Sequence, residues 1–259
     1  MTEPEVLLRR DGATAYLTIN RPDRRNAINP DVVEGLTAGL AEVEADDTIR
    51  VLVLTGAGEK AFCAGGDLGG MTSDSRVGQH FQRAEVGELF KRMRSSRLPI
   101  VARANGHALA GGFGLMLACD LVVASEAAEM GTPEINIGLW PFMITTVIHR
   151  DLPRKLALEL MLTGRRMKAR EAETWGFVNH VVPYEELDAA VRELVEALLS
   201  KSPLIAALGK RSFYAAEDMS FPDALEYLAG MLTVALESED AVEGVTAFLE
   251  KRPPEWKGR

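Results

Sequence analysis

An α/β domain that ends in a run of helices is the fold this sequence predicts, on three observations. The short unbroken apolar runs Val51 to Leu54, Ile100 to Ala102 and Leu121 to Ala124 have the length and composition of strands buried on both faces. Segments of helical period alternate with them to about residue 195, the order of a layered fold with parallel strands. Beyond Pro183 only helical period remains.

Val6 to Leu8 and Ala15 to Ile19 flank Asp11-Gly12, a dipeptide tolerant of positive φ, so the chain opens with a hairpin. Asn29 is placed to cap a helix with Pro30 at its first position. Val32, Leu36, Leu40 and Val43 then repeat at three- and four-residue spacing and mark one apolar face. The strand from Val51 stops at Thr55-Gly56, and Arg76 to Arg97 is a charged helical stretch. Leu187 to Leu199, Leu204 to Tyr214, Ala224 to Leu236 and Val242 to Leu249 are helical in period. Their apolar faces, with Leu225, Leu228, Met231 and Leu232, are too extensive for a free appendage, so they are expected to pack on the domain or on another copy of the chain. The expected division is 1–197 for the α/β domain and 198–259 for a helical oligomerisation region.

Composition narrows the function. The 259 residues carry 29 Lys and Arg against 38 Asp and Glu, a net charge of −9, with no long basic run, which speaks against nucleic acid and anionic membranes as partners. Cys63 and Cys119 are too few for a disulfide framework or a four-ligand zinc site, so a reducing cytoplasm and no metal are expected. The longest uncharged stretch, between Arg103 and Asp120, is interrupted by Asn105, His107 and several glycines, and would make a poor membrane span. The first ten residues lack the basic start and apolar middle of a signal peptide.

Three features could carry chemistry. Ala64-Gly65-Gly66-Asp67 and Gly106 to Gly112 are glycine turns able to expose backbone N–H groups, and two such turns facing each other can hold a developing oxyanion. Tight packing alone would also account for them, and neither has nucleotide-binding spacing. Glu134 follows Pro133 among Met130, Ile135, Ile137 and Leu139, where burial would raise its pKa toward a value useful for moving protons at neutral pH. A satisfied carboxylate at a helix start is the plainer reading.

Taken together, Asn20-Arg21-Pro22-Asp23-Arg24-Arg25-Asn26-Ala27, Ala61 to Leu68, Asn105 to Gly112, Cys119-Asp120 and Pro133-Glu134 resemble, in order and spacing, the crotonase family of enoyl-CoA hydratases and isomerases. The resemblance continues through Leu162-Thr163-Gly164, Trp175 to Asn179 and Ala247 to Arg252. It implies a spiral of β-β-α repeats with a C-terminal helical region that builds a homotrimer, or a hexamer of two trimers. It further implies that the N–H groups of Gly66 and Gly111 bind the carbonyl oxygen of an acyl-CoA thioester and that Glu134 moves protons. By the same carry-over, Asp23, Arg24 and Arg25 with Ala64, Gly65, Asp67 and Leu68 would hold coenzyme A, and Phe248 and Lys251 would reach its nucleotide end. Coenzyme A is part of the substrate, and no separate cofactor is implied.

Two departures from the family pattern bear on the reaction. Its hydratases carry a second glutamate three residues beyond the oxyanion glycine, and here that position is Gly114. A single carboxylate can carry a proton from one carbon to another, whereas water addition in the family uses two. Double-bond isomerisation is therefore expected. Hydration remains the alternative, with His80 or an acid between Gly69 and Glu88 as the replacement group, and restoring a carboxylate at 114 should favour it if the side chain fits beside Trp140 and Phe142. The second departure is Leu139-Trp140-Pro141-Phe142-Met143, where Trp140 and Phe142 would reshape the acyl pocket or simply join the core. A non-catalytic acyl-CoA-binding or assembly subunit is the rival of another class, and the presence of Glu134 argues against it.

Overall fold

The computed structural model describes residues 3–67, residue 69 and residues 75–259. The hairpin β1 (Val6–Asp11) and β2 (Thr14–Ile19) leads into α1 (Pro30–Glu44), where the Asn29 side chain accepts the Val32 N–H at 2.9 Å and caps the first turn. A repeating pattern follows. Strands β3 (Val51–Gly56) and β4 (Ala61–Cys63) precede α2 (Arg76–Ser95), and β5 (Ile100–Ala104) and β6 (His107–Leu109) precede α3 (Gly111–Leu117). Strands β7 (Leu121–Ser125) and β8 (Glu129–Gly131) then precede a 3-10 turn at Pro133–Ile137 and α4 (Thr145–Asp151). The chain continues through α5 (Arg154–Thr163), β9 (Arg166–Lys168), α6 (Ala169–Trp175) and β10 (His180–Val182) to four further helices. These are α7 (Leu187–Leu199), α8 (Pro203–Ala216), α9 (Phe221–Leu236) and α10 (Glu239–Glu250).

The first strand of each repeat joins a six-stranded sheet in the order β1-β2-β3-β5-β7-β10, and the second joins a four-stranded sheet in the order β4-β6-β8-β9. From β2 onward the large sheet is parallel, and β4, β6 and β8 are parallel in the small one. Each β-β-α unit thus advances both sheets by one strand, which is the expected spiral.

Strand β3 shows why its sequence is an unbroken apolar run. Leu52 and Leu54 face the main core, while Val51 and Val53 face Leu187, Val191 and Val195 of α7. Both faces are covered, so the run Val51 to Leu54 is apolar throughout, and the buried Thr55 that follows donates its hydroxyl to the Arg103 carbonyl at 2.9 Å. The expected division between residues 197 and 198 falls in the last turn of α7.

Helix α8 is tied down by a buried ion pair. Lys210 Nζ lies 2.7 Å from Asp120 Oδ2 and donates to the Met93 and Leu98 carbonyls, while the Tyr214 hydroxyl donates to Asp120 Oδ1 at 2.8 Å. Burial holds the Lys210 pKa below its ordinary value, with Asp120 opposing the shift. By contrast, α9 buries none of its residues in the single chain and leaves Phe221, Leu225 and Leu232 more than half exposed. Among the described residues no helix is long and apolar enough to cross a membrane, and no cluster of three or more His, Cys, Asp or Glu could hold a metal ion.

Candidate active site

The two glycine turns meet because β4 and β6 are parallel neighbours, with Cys63 paired to Ala108, so the chain leaves both strands at the same end. Their approach is close. Gly65 has φ +99°, and a Cβ there would stand 2.6 Å from the Ala110 Cβ, so only glycine fits both the backbone and the space.

The free donors follow from the pairing. A parallel bridge joins Ile28 to Gly66 through Ile28 N–H to the Gly65 carbonyl and Asp67 N–H to the Ile28 carbonyl, each 2.7 Å. It uses groups of residues 65 and 67 and leaves the Gly66 N–H unused. The Gly111 N–H opens α3, where the first turn has no intrahelical acceptor. The place a Gly111 Cβ would take is 3.7 Å from the Gly66 nitrogen, so the two donors border one small space. Ala110, just before this helix, has φ 52° and ψ −130°, a strained backbone for an L-residue, held by its N–H to the Gly131 carbonyl at 2.8 Å.

Glu134 follows β8, the neighbour of β6 in the small sheet. Leu109 pairs with Gly131, so Gly111 and Glu134 begin two and three residues beyond paired positions. Glu134 is half-buried, its Oε2 is buried and has no hydrogen-bond partner among the described residues, and burial raises its pKa above the ordinary carboxylate value. The Thr132 hydroxyl beside it is likewise buried and unpartnered.

Gly114 is enclosed. A Cβ on it would overlap Ile144 Cγ2 and lie 3.5 Å from Phe90, so its neighbours are these two side chains rather than Trp140 and Phe142. Trp140 is partly buried against the core, and Phe142 is 77% exposed. His80, Glu85 and Glu88 on α2 are exposed, with Glu88 2.5 Å from Lys91. Residues 70–74 of the segment searched for a second acid lie outside the described residues.

The expected coenzyme A residues are only partly gathered. Asp23, Arg24 and Arg25 are exposed around a 3-10 turn, and the Arg25 carbonyl accepts the Ala64 N–H at 3.0 Å, so they border the Ala64-Gly65 turn. Asp67 is engaged by Arg21 at 2.9 Å and by the Gly69 N–H, and Leu68 lies outside the described residues. Phe248 and Lys251 stand exposed at the end of α10, which packs on α8 and α9. Among the described residues no hydrogen bond or ion pair joins either to the glycine turns.

Sequence reasoning gave no role to the half-buried Arg21 or to the buried Asn26 and Asn105. Asn26 and Asn105 both donate to the Ala61 carbonyl, at 2.7 and 3.0 Å, and so fix the start of β4. Both residues stand in the quoted motifs, but their partners are long-range and invisible in one dimension. The cysteines behave as core residues, since burial pushes the Cys63 thiol up to about 12 and raises that of Cys119 as well. A separate cavity of about 310 Å³, bordered by Arg94, Asp120, Asp151 and Tyr214, includes none of Gly66, Gly111 or Glu134.

A family model described as enoyl-CoA hydratase/isomerase matches residues 9–259. A putative enoyl-CoA hydratase of Thermus thermophilus is 37% identical over 246 residues, covering 94% of this chain and 97% of that protein. A carnitinyl-CoA dehydratase of Proteus mirabilis is 35% identical over 256 residues, 96% of each chain. The crystal structure of an enoyl-CoA hydratase from Mycobacterium smegmatis superposes with a TM-score of 0.94 at 33% identity, covering 98% of this chain and 99% of that one.

Proposed function

The chain belongs to the enoyl-CoA hydratase/isomerase family, and on that premise we propose that it moves a double bond in an acyl-CoA thioester, with Glu134 as its one acid/base group. The thioester oxygen accepts the N–H groups of Gly66 and Gly111. Each preorganised donor of this kind is typically worth about 2.7 to 4 kcal/mol to a transition state that carries charge on oxygen. The Glu134 carboxylate removes the Cα proton of a 3-enoyl thioester, and the C–H electrons pass into a dienolate whose charge rests on that oxygen. Glu134, now a carboxylic acid, returns the proton to Cγ, and the double bond ends between Cα and Cβ.

The observation that carries this reading is the pairing of a half-buried Glu134, whose Oε2 has no hydrogen-bond partner among the described residues, with a position 114 closed by Ile144 and Phe90. A proton shuttle needs only the first group. The names of the Thermus and Proteus relatives favour a second reading, addition or removal of water, which needs a further group to hold the water.

We assign the adenine and phosphate end of coenzyme A to the edge formed by Asp23, Arg24, Arg25 and Ala64, and the acyl chain to the side of Trp140 and Phe142. The apolar face of α9 supports assembly into a homotrimer or hexamer, in which Phe248 and Lys251 would approach a nucleotide end. A panel of enoyl-CoA substrates, assayed separately for double-bond movement and for hydration, tests the reading. Isomerisation should be the faster reaction on every chain length accepted.

A further inference from the structure

We propose that Arg21 is a positioning residue for the oxyanion hole, setting the direction of the Gly66 N–H through Asp67 and the Ala27 carbonyl. The proposal rests on the reading of Gly66 as an oxyanion donor and asks what holds that donor still. The Gly66 loop has no regular structure of its own. Among the described residues its backbone is tied by the bridge to Ile28 and by the Ala64 N–H to the Arg25 carbonyl, and both partners belong to a loop themselves. An N–H at the end of such a pair would swing unless both loops were tied to something rigid.

Arg21 supplies that tie. It stands just beyond the end of β2, and its backbone is closed into a turn by its N–H to Asn26 Oδ1 at 3.0 Å and by the Asn26 N–H to its carbonyl at 2.8 Å. Its guanidinium then spans both loops. Nη1 donates to the Ala27 carbonyl at 2.6 Å, one residue before the bridge on one side. Nη2 donates to Asp67 Oδ2 at 2.9 Å, one residue after Gly66 on the other. The planar fork fixes these two acceptors relative to each other, which a flexible point charge cannot do. The Arg21 side chain is only 12% exposed, so it acts through the loop rather than on a ligand. A third acceptor, Glu5 Oε1, meets Nε at 3.1 Å and has no part in the loop pairing.

A merely stabilising ion pair and a positioning device differ in what they do to a bound carbonyl. The test is the infrared C=O stretch of an isotope-labelled, non-reacting acyl-CoA bound to full-length protein, measured with steady-state kinetics and thermal melts. Wild type should lower the stretch relative to the ligand in water. Arg21→Met should lose most of that shift and lower kcat about 10- to 100-fold, as small misplacements of catalytic groups do, while KM changes little. Arg21→Lys and Asp67→Asn should fall between, and they decide the matter if Arg21→Met does not fold. Glu5→Gln should lower the melting temperature yet keep the shift. A wild-type shift retained in Arg21→Lys and Asp67→Asn, or lost as fully in Glu5→Gln, would overturn the proposal. No shift in wild type itself would instead remove the oxyanion reading on which it rests.

Discussion

Gly114 and Ile144 share a space that admits no side chain on the glycine: a Cβ there would stand 2.6 Å from the Ile144 Cβ and overlap its Cγ2. Ile144 is 4% exposed and sits where α4 begins, so it cannot simply swing aside. Gly114→Glu alone is therefore expected to destabilise the protein by about 1–3 kcal/mol or more through overpacking, without raising hydration. With Ile144→Gly added, which removes the Ile144 Cβ as well as its Cγ2, the carboxylate gains room, and hydration of a short trans-2-enoyl-CoA should rise above that of either single variant. Melts and hydration rates on the three variants check this.

Glu134→Gln should lower turnover about 100-fold or more while ligand affinity stays nearly unchanged, because the amide keeps the shape but cannot carry the proton. It should also stabilise the fold at neutral pH. Burial raises the Glu134 pKa, so the stabilising contribution of its protonated form is complete below the unfolded value near about 4.3 and is lost as pH rises through the folded value. The variant should melt above wild type at pH 7, and the gap should close toward acid pH. Calorimetry across that range checks the sign.

Lys210→Met should destabilise the protein, by up to about 3 kcal/mol, since it removes the counter-charge from a part-buried Asp120 that keeps only the Tyr214 hydroxyl and the Ile100 N–H as donors. Replacing both partners, as in Lys210→Met with Asp120→Asn, should cost less than the two single changes together. Urea unfolding of the set measures this coupling and shows how firmly α8 is fixed to the α/β domain.

How much of this was legible in sequence depended on how local the cause was. The hairpin at Gly12, the Asn29 cap and the two-sided burial of β3 each follow from a few adjacent residues. The short strands β4, β6 and β8 gave no periodic signal, because three residues hold too little pattern, and the resemblance alone implied them. Glu134 was legible as a carboxylate in apolar company. The enclosure of Gly114 was not, since Ile144 lies thirty positions away and reaches it only through the packing of α4 on α3. Arg21 was hidden for the same reason, with Asp67 46 residues distant.

The exposed face of α9 predicts assembly. The protein should sediment as a trimer or hexamer of the 28.2 kDa chain at micromolar concentration, and Leu225→Asp with Leu232→Asp should shift it toward monomer. A wild type that sediments as a monomer would contradict the assignment.

In the proposed reaction Glu134 alone carries protons on a thioester enolate. The most direct measurement is deuterium uptake from heavy water at Cα and Cγ of an enoyl-CoA, followed with water addition to the same molecule. Wild type should exchange both positions and move the double bond faster than it adds water, and Glu134→Gln should do neither. Rapid water addition by wild type that is lost on changing His80 or an acid between Gly69 and Glu88, or exchange that survives in Glu134→Gln, would contradict it.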